Sequence, residues 1–320
     1  MKIKDMTRQA LERELELYIN LASLILPRTS NFPELSHIDY HATVQPAYGC
    51  MGGDNLDIVN FENYNLQDKI HLAEERVKQA HEQGHASQEK AYRKIVSMLN
   101  KNQDRFGILI TDVAGHNIAH SVINNLIYGM FETGVNYELN DFGEVTPRVF
   151  ELMNTMFYNH IEPNYLIQKP YTTFIYGEIS NEGKFRFLSG GHPTPLVFSR
   201  EFGRLQKLED SVKQTSTPLG VLPSDFNPYI ERFPATKKTK GHYPVNEITL
   251  LGKGDVLLLY SDCLTEHEKE KVNFAETRLE DILRRAKDGS AQEIHNHILS
   301  EMVFFSPLED DLTLVVIKKK

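Results

Sequence analysis

Cysteine is scarce in this sequence: Cys50 and Cys263 are the two present in 320 residues. Two thiols without a CxxC pair exclude a disulfide framework and a cysteine-built structural zinc site, and a reducing cytoplasm is the expected compartment. Long apolar runs are missing too. No stretch approaches the roughly 18 to 20 residues that cross a bilayer. The opening MKIKDMTRQALERELELYIN alternates acids and bases where a secretory signal would hold an unbroken apolar core. Neither export nor membrane association is expected. Basic residues are outnumbered, with 35 Lys and Arg against 44 Asp and Glu for a net charge of −9. That balance argues against general nucleic-acid binding, whose affinity rests on Lys and Arg. The two basic clusters, 237–240 and 318–320, read as solvated tips.

Catalytic signatures of other classes are missing as well. A cysteine phosphatase needs an Arg six residues after its Cys, but Leu56 follows Cys50 and Lys269 follows Cys263 at that spacing. No GxxxxGK[ST] is present, and LGKGD at 251–255 reads as a hairpin turn, so neither a kinase nor a P-loop ATPase is supported. No internal repeat and no low-complexity segment appear.

What is present is a chain with 40% hydrophobic residues, enough to bury a sizeable core. Residues 6–26 predict a helix with Leu11, Leu15, Tyr18, Ala22 and Ile25 on one seam and Leu17, Leu21 and Leu24 on a second, ended by Pro27. Ile38, Tyr40, Ala42 and Val44 alternate as in a half-buried strand, and a short strand follows at 55–61. From 62 to 104 the spacing of Leu66, Ile70, Ala73, Val77, Ala91, Ile95 and Met98 turns helical, with Gly84 dividing two helices. FGILITDVAG at 106–115 is a strand ending in a glycine turn and leads into a helix. A second helix is expected from Pro147 to Tyr158, capped by Thr146. Two hairpins follow within 171–208, then a long loop at 224–246, two strands within 247–261, two late helices and a terminal strand. Strands joined by hairpins, with helices in consecutive pairs, predict an α+β fold with antiparallel sheets.

Four aspartates close or open strands: Asp54 after Gly52 and Gly53, Asp112 after FGILIT, Asp262 after DVLLLYS, and Asp311 before LTLVVI. Carboxylates gathered at one sheet edge repel, and a hard cation resolves the repulsion, since all-oxygen ligands favour Mg²⁺ or Mn²⁺ over zinc. Such a two-metal site could hold a nucleophilic water and the oxygens of a phosphoryl group together. Any one Asp could instead cap a turn. A zinc triad of Asp112, His116 and His120 is a weaker alternative, because Gly115 interrupts the geometry and no HExxH is present.

In order along the chain, GGDNLDI, ITDVAGHN, SGGHPTPL, STPLGV, LGKGDVLLLYSDCLTE and EDDLTLVVI resemble the motifs of SpoIIE- and RsbU-like phosphatases, the bacterial branch related to protein phosphatase 2C (the PPM type). The resemblance spans roughly residues 36–317. It implies a β-sandwich of two antiparallel sheets flanked by helices, within a domain at 36–320 preceded by an N-terminal helix and linker at 1–35. The family joins two strands by a short turn where this chain has the helical segment at about 62–104, which then reads as an insertion.

The resemblance further implies that Asp112, Asp262 and Asp311 hold one Mn²⁺ or Mg²⁺ and that Asp112 bridges to a second ion. The Val113 carbonyl and Asp54 would serve that second ion, and a bridging water would attack phosphorus. The implied activity is hydrolysis of phosphoserine or phosphothreonine on a partner protein, such as an anti-anti-sigma (STAS) protein in a partner-switching pathway. Two departures stand out: Cys263 where the family has Gly after Asp, and Asn117 at the second glycine of the turn after Asp112. His192 is expected as a wall of the cleft or a structural residue. The N-terminal helix is expected to serve self-association or the docking of a sensor protein. The rivals are a non-catalytic regulatory module on the same fold and a small-molecule phosphoesterase.

Overall fold

Apolar segments that alternate between two buried faces need a layer on each side, and the computed structural model supplies a four-layer arrangement of helices, sheet, sheet and helices. It describes residues 33–47, 52–114, 118–160, 170–224, 240–250 and 252–320. Of the N-terminal region it describes residues 8, 10, 12–14, 16 and 17, all helical. The predicted seam residues Leu11, Leu15, Tyr18, Ala22 and Ile25, with Leu21 and Leu24, lie outside the described residues, as do Cys50, Gly115, His116 and Asn117.

The strands are β1 (Ile38–Gln45), β2 (Asp54–Val59), β3 (Arg105–Val113), β4 (Thr172–Ser180), β5 (Lys184–Gly190), β6 (Leu196–Ser199), β7 (Arg204–Gln206), β8 (Val245–Thr249), β9 (Val256–Tyr260), the short pair β10 (Glu268–Lys269) and β11 (Val272–Asn273), and β12 (Leu312–Lys319). One sheet runs β2-β3-β4-β5-β8 and the other β1-β12-β9-β6-β7, with every named strand pair antiparallel. The helices are α1 (Leu66–Glu82), α2 (Ala86–Lys101), α3 (Ile118–Asp141), α4 (Pro147–His160), α5 (Glu280–Ala286) and α6 (Ala291–Phe305).

Strand periodicity divides the core into three. Phe106, Ile108 and Ile110 of β3 point between the sheets with Leu257 and Leu259 of β9 and Val315 and Ile317 of β12. Leu109 and Val113 face the opposite way, onto α3 and α4, where Phe150 and Phe174 stack at 4.9 Å. Val256, Leu258, Leu314 and Val316 pack against α5 and α6. Central strands are thus buried on both faces, which is why FGILIT and DVLLLY read as unbroken apolar runs instead of alternating ones.

The helical segment between β2 and β3 folds as the α1–α2 pair, with Leu66, Ile70, Ala73 and Leu99 in the core beside α3. Its base is tied to α3 by a Tyr64 hydroxyl bond to Glu132 and by Lys69 Nζ donating to Asn136 and Asn140. The segment at 251–255 is not a hairpin turn. β8 pairs with β5 and β9 with β12, so the chain crosses from one sheet to the other there. Gly254 takes φ +88, and the Asp255 carboxylate holds the corner by accepting from Gly252 N at 2.7 Å and Arg200 N at 3.1 Å. A glycine turn looks the same in sequence whether it reverses a chain or carries it to another layer.

The basic clusters are only partly solvated where they are described: Lys320 is exposed, whereas Lys240, Lys318 and Lys319 are not. Lys240 is buried against Glu151, with Nζ 2.7 Å from Oε2. Lys318 donates to the carbonyls of Lys287 and Gly289, and Lys319 to that of Leu250.

Arg105 and Glu178 form an ion pair across β3 and β4 at 2.7 Å, with Glu178 buried. Removing one partner of such a pair strands a charge out of water. Arg105→Ala is expected to cost about 3 to 5 kcal/mol, measured by urea denaturation; a loss under about 1 kcal/mol, the usual worth of a surface pair, would refute this account.

Candidate metal centre

The predicted carboxylates meet at one end of the gap between the sheets. Asp54 opens β2 and Asp112 lies directly opposite it in β3. Both share the inward face with Leu56 and Ile110. Asp54 is 9% exposed, and its Oδ2 accepts from the Thr313 hydroxyl at 2.8 Å, which links the two sheets. Asp262 follows β9, and Asp310 and Asp311 lead into β12.

Burial and mutual repulsion push these acids up. The Asp54 carboxyl is raised well above the ordinary range by burial first and then by the charge of Asp112. Asp112 is raised to about 7 by burial, then by Asp262, Asp310, Asp311 and Glu266. Burial, Glu266 and Asp310 raise Asp262. Among the described residues, the charged groups that act most strongly on the three are all acidic.

Asp311 and Asp310 divide the work at the start of β12. Both carboxylate oxygens of Asp311 accept backbone amides, Oδ1 from Ala47 N at 2.8 Å and Oδ2 from Gly53 N at 2.6 Å. A Cβ on Gly52 would fall 2.0 Å from Asp311 Oδ2, so glycine there lets the carboxylate grip the turn. Asp310 is exposed, and its charge is among those that raise Asp262.

Val113 is buried, and its amide donates to the Gly53 carbonyl at 3.0 Å. The same carbonyl accepts Asn124 Nδ2 of α3 at 2.6 Å. Asn124, Ser261 and Thr313 were not legible as site residues. Ser261 Oγ donates to the Asp311 carbonyl at 3.2 Å and accepts Thr313 N at 2.9 Å, and the available signal was adjacency to the Asp262 and Asp311 motifs. The Cys263 side chain turns into the core beside Leu264 and Phe274, which explains how a side chain is tolerated after Asp262. Its Sγ donates to the Asp310 carbonyl at 3.4 Å, and burial with the nearby carboxylates raises the thiol to about 12. His192 is buried, bonded through Nδ1 to Thr173 Oγ1 at 3.0 Å, and lowered to about 3 by burial. A neutral, enclosed ring of this kind supports the wall and offers no proton at ordinary pH.

A divalent cation fits the chemistry of this donor set, which offers carboxylate oxygens whose negative charges act on one another. Among the described residues, no three His, Cys, Asp or Glu side chains form a ready-made ligand cluster.

The sequence family described as stage II sporulation protein E (SpoIIE) matches residues 102–320. The chain belongs to the SpoIIE family. Its fold is that of the PP2C phosphatases. The SiaA-PP2C domain of Pseudomonas aeruginosa superposes with a TM-score of 0.60 at 13% identity, over 98% of this chain and 100% of that one. The PP2C phosphatase domain with a regulatory fragment of SpoIIE from Bacillus subtilis gives 0.56 at 15%, over 90% and 65%. The RsbU and RsbW domains of Rv1364c from Mycobacterium tuberculosis give 0.56 at 16%, over 90% and 62%. The chain therefore spans less than two thirds of these last two. No curated protein matches it. The SpoIIE match begins after β2 and the α1–α2 pair, so Asp54 lies outside it.

The raised acids bind protons that the unfolded chain releases above about pH 4. Their stabilising contribution is present below that value and is lost as pH rises through about 7, the position of Asp112. In the presence of chelator the protein is expected to melt lower near pH 8 than near pH 5.5, with Mn²⁺ removing most of the difference. Calorimetry at both pH values checks this, and a chelated protein equally stable at both would contradict it.

Proposed function

We propose that this SpoIIE-family chain is a Mn²⁺- or Mg²⁺-dependent protein serine/threonine phosphatase. The observation that carries the reading is the convergence of Asp54, Asp112, Asp262 and Asp310 at one end of the sandwich, where the charges acting most strongly on the first three are those of other acids. Asp112 would be shared by two ions, with Asp54 and the Val113 carbonyl serving one and Asp262 the other. Asp310 takes the outward place that the resemblance implies for Asp311, and Asp311 holds the Gly52–Gly53 turn in position through Ala47 N and Gly53 N.

Divalent cations held there would supply an activated water and neutralise charge on the phosphoryl oxygens. In the hydrolysis the oxygen of water joins phosphorus, the bond from phosphorus to the Ser or Thr oxygen breaks, and one proton of that water ends on the leaving alcohol while the other stays with the phosphate. The chain's own residues set the geometry: Thr313 orients Asp54, Asn124 and Val113 hold the Gly53 carbonyl, and Ser261 ties the Asp262 strand to β12. A covalent cysteine route is disfavoured by the buried Cys263 thiol, held near 12.

Membership of the SpoIIE family supports a regulatory substrate, a phosphorylated STAS protein within a partner switch. The N-terminal helical region would serve self-association or sensor docking. Among the described residues no helix is long and apolar enough to cross a membrane. Domain limits of 36–320, with α1–α2 as a helical insertion, complete the reading.

Phosphate release from a phospho-STAS protein and from p-nitrophenyl phosphate, with Mn²⁺ and with chelator, tests it. Equal rates in chelator, or no release from either substrate, would reject it, while turnover of the small ester alone would favour a small-molecule phosphoesterase. Asp112→Asn, Asp262→Asn and Asp310→Asn are expected to lose at least about 100-fold in turnover, on the scale of removing one charge-stabilising group, and to stay folded. Asp311→Asn is expected instead to lose about 1 to 3 kcal/mol of stability, because its amide would turn a donor toward a backbone N–H. Thermal melts beside turnover distinguish the two roles.

A further inference from the structure

Beside the bonds of Ser261 N to the Thr313 carbonyl and of Thr313 N to Ser261 Oγ, three further cross-links join the segment that leaves Asp262 to the segment that arrives at Asp310. Two lie at the carboxylates: Ser261 Oγ to the Asp311 carbonyl and Cys263 Sγ to the Asp310 carbonyl. The third lies farther back. His267 is buried, and its Nε2 sits 3.1 Å from the Met302 carbonyl oxygen and 3.0 Å from Ser306 Oγ. A carbonyl can only accept, so Nε2 carries a proton toward Met302. Met302 is in the last turn of α6, and its carbonyl accepts the helical bond from Ser306 N at 3.1 Å as well as the His267 ring. His267 thus adds a bond to the end of α6 at the point where the chain departs for Asp310.

The ring has little freedom. Phe274 stands edge-on at 5.9 Å and Phe305 lies tilted at 5.6 Å. Phe274 N donates to the His267 carbonyl at 2.9 Å, closing the β10–β11 excursion behind the ring.

We propose that His267 is a positioning residue that sets the distance between Asp262 and Asp310 by pinning the chain after Asp262 to the C-terminal turn of α6. The inference rests on the metal-dependent reading above and assigns it a new component. Ser261 and Cys263 link the end of β9 and the one-turn helix Cys263–Glu266 to the start of β12, whereas His267, which follows that helix, links it to a longer helix anchored by Ile294, Ile298 and Met302 in the core. A metal site tolerates only small misplacement of its ligands, and losing a supporting bond typically costs 10- to 100-fold in affinity.

His267→Phe keeps a ring between Phe274 and Phe305 and removes both hydrogen bonds, while His267→Gln returns an N–H at similar reach. Mn²⁺ binding is measured by electron paramagnetic resonance titration, independently of turnover, beside the Mn²⁺ dependence of p-nitrophenyl phosphate hydrolysis. Mn²⁺ affinity is expected to fall about 10-fold or more in the Phe variant. Half-maximal activity should shift to higher Mn²⁺ by the same factor, saturating Mn²⁺ should recover most of the turnover, and the Gln variant should restore most of the affinity. A lower melting temperature with unchanged Mn²⁺ affinity would make His267 a packing residue and overturn the proposal. Parent protein that binds no Mn²⁺ would overturn the metal reading and this inference with it, an outcome separate from one in which the parent binds and the Phe variant binds equally. Should the Phe variant lack a cooperative melt, Ser306→Ala removes one partner alone: weakened Mn²⁺ binding supports the proposal and unchanged binding overturns it.

Discussion

Like charges confined between two sheets repel one another, and this repulsion governs the organisation of one end of the molecule. Asp54, Asp112 and Asp262 are all raised by burial and by acidic neighbours. Left alone, such a group would open the sandwich where β2, β3, β9 and β12 end. Neutral and local bonds restrain it: the Thr313 hydroxyl on Asp54, the Ala47 and Gly53 amides on Asp311, and the Ser261 hydroxyl between strand ends. These restraints hold positions without cancelling charge, so the site retains its demand for a cation. Stability and function pull against each other here, as is common where charged groups are assembled for chemistry.

The restraints come from elements distant in sequence. Asn124 reaches the Gly53 carbonyl from α3, β12 supplies Thr313 and Asp311, and α6 meets the segment after Asp262 through His267. Each is secured by packing on its own layer, which turns a loop-borne set of carboxylates into one braced by the cores on both outer faces.

Much of this was legible in the sequence, and the parts that were not share a cause. Strand ends carrying Asp54, Asp112 and Asp262 could be read because apolar runs and acidic stops are local signals. The same holds for the helical pair between β2 and β3, whose periodicity is strong. What escaped was partnership. EDDL offers two adjacent carboxylates, and nothing local tells which one binds backbone amides and which faces Asp262. The crossing at 251–255 looked like a hairpin because a Gly-rich turn does not record the sheet to which the next strand belongs. His267 carried no motif, since its partners are a backbone carbonyl and a serine more than 30 residues away. Lys240 resembled a surface cation in a basic run and proved to be the buried partner of Glu151.

β12 lies between β1 and β9 in its sheet, so Ile38 pairs with Lys319 across nearly the whole described chain. Contacts of such long sequence separation form late, because a large loop must close before they repay its entropy. Asp310 and Asp311 arrive with that strand, and so do the amide bonds that hold the Gly52–Gly53 turn. The carboxylates therefore come together in one place only once β12 has paired with β1 and β9 and its Thr313 and Asp311 have bonded across to Asp54 and Gly53 of the other layer.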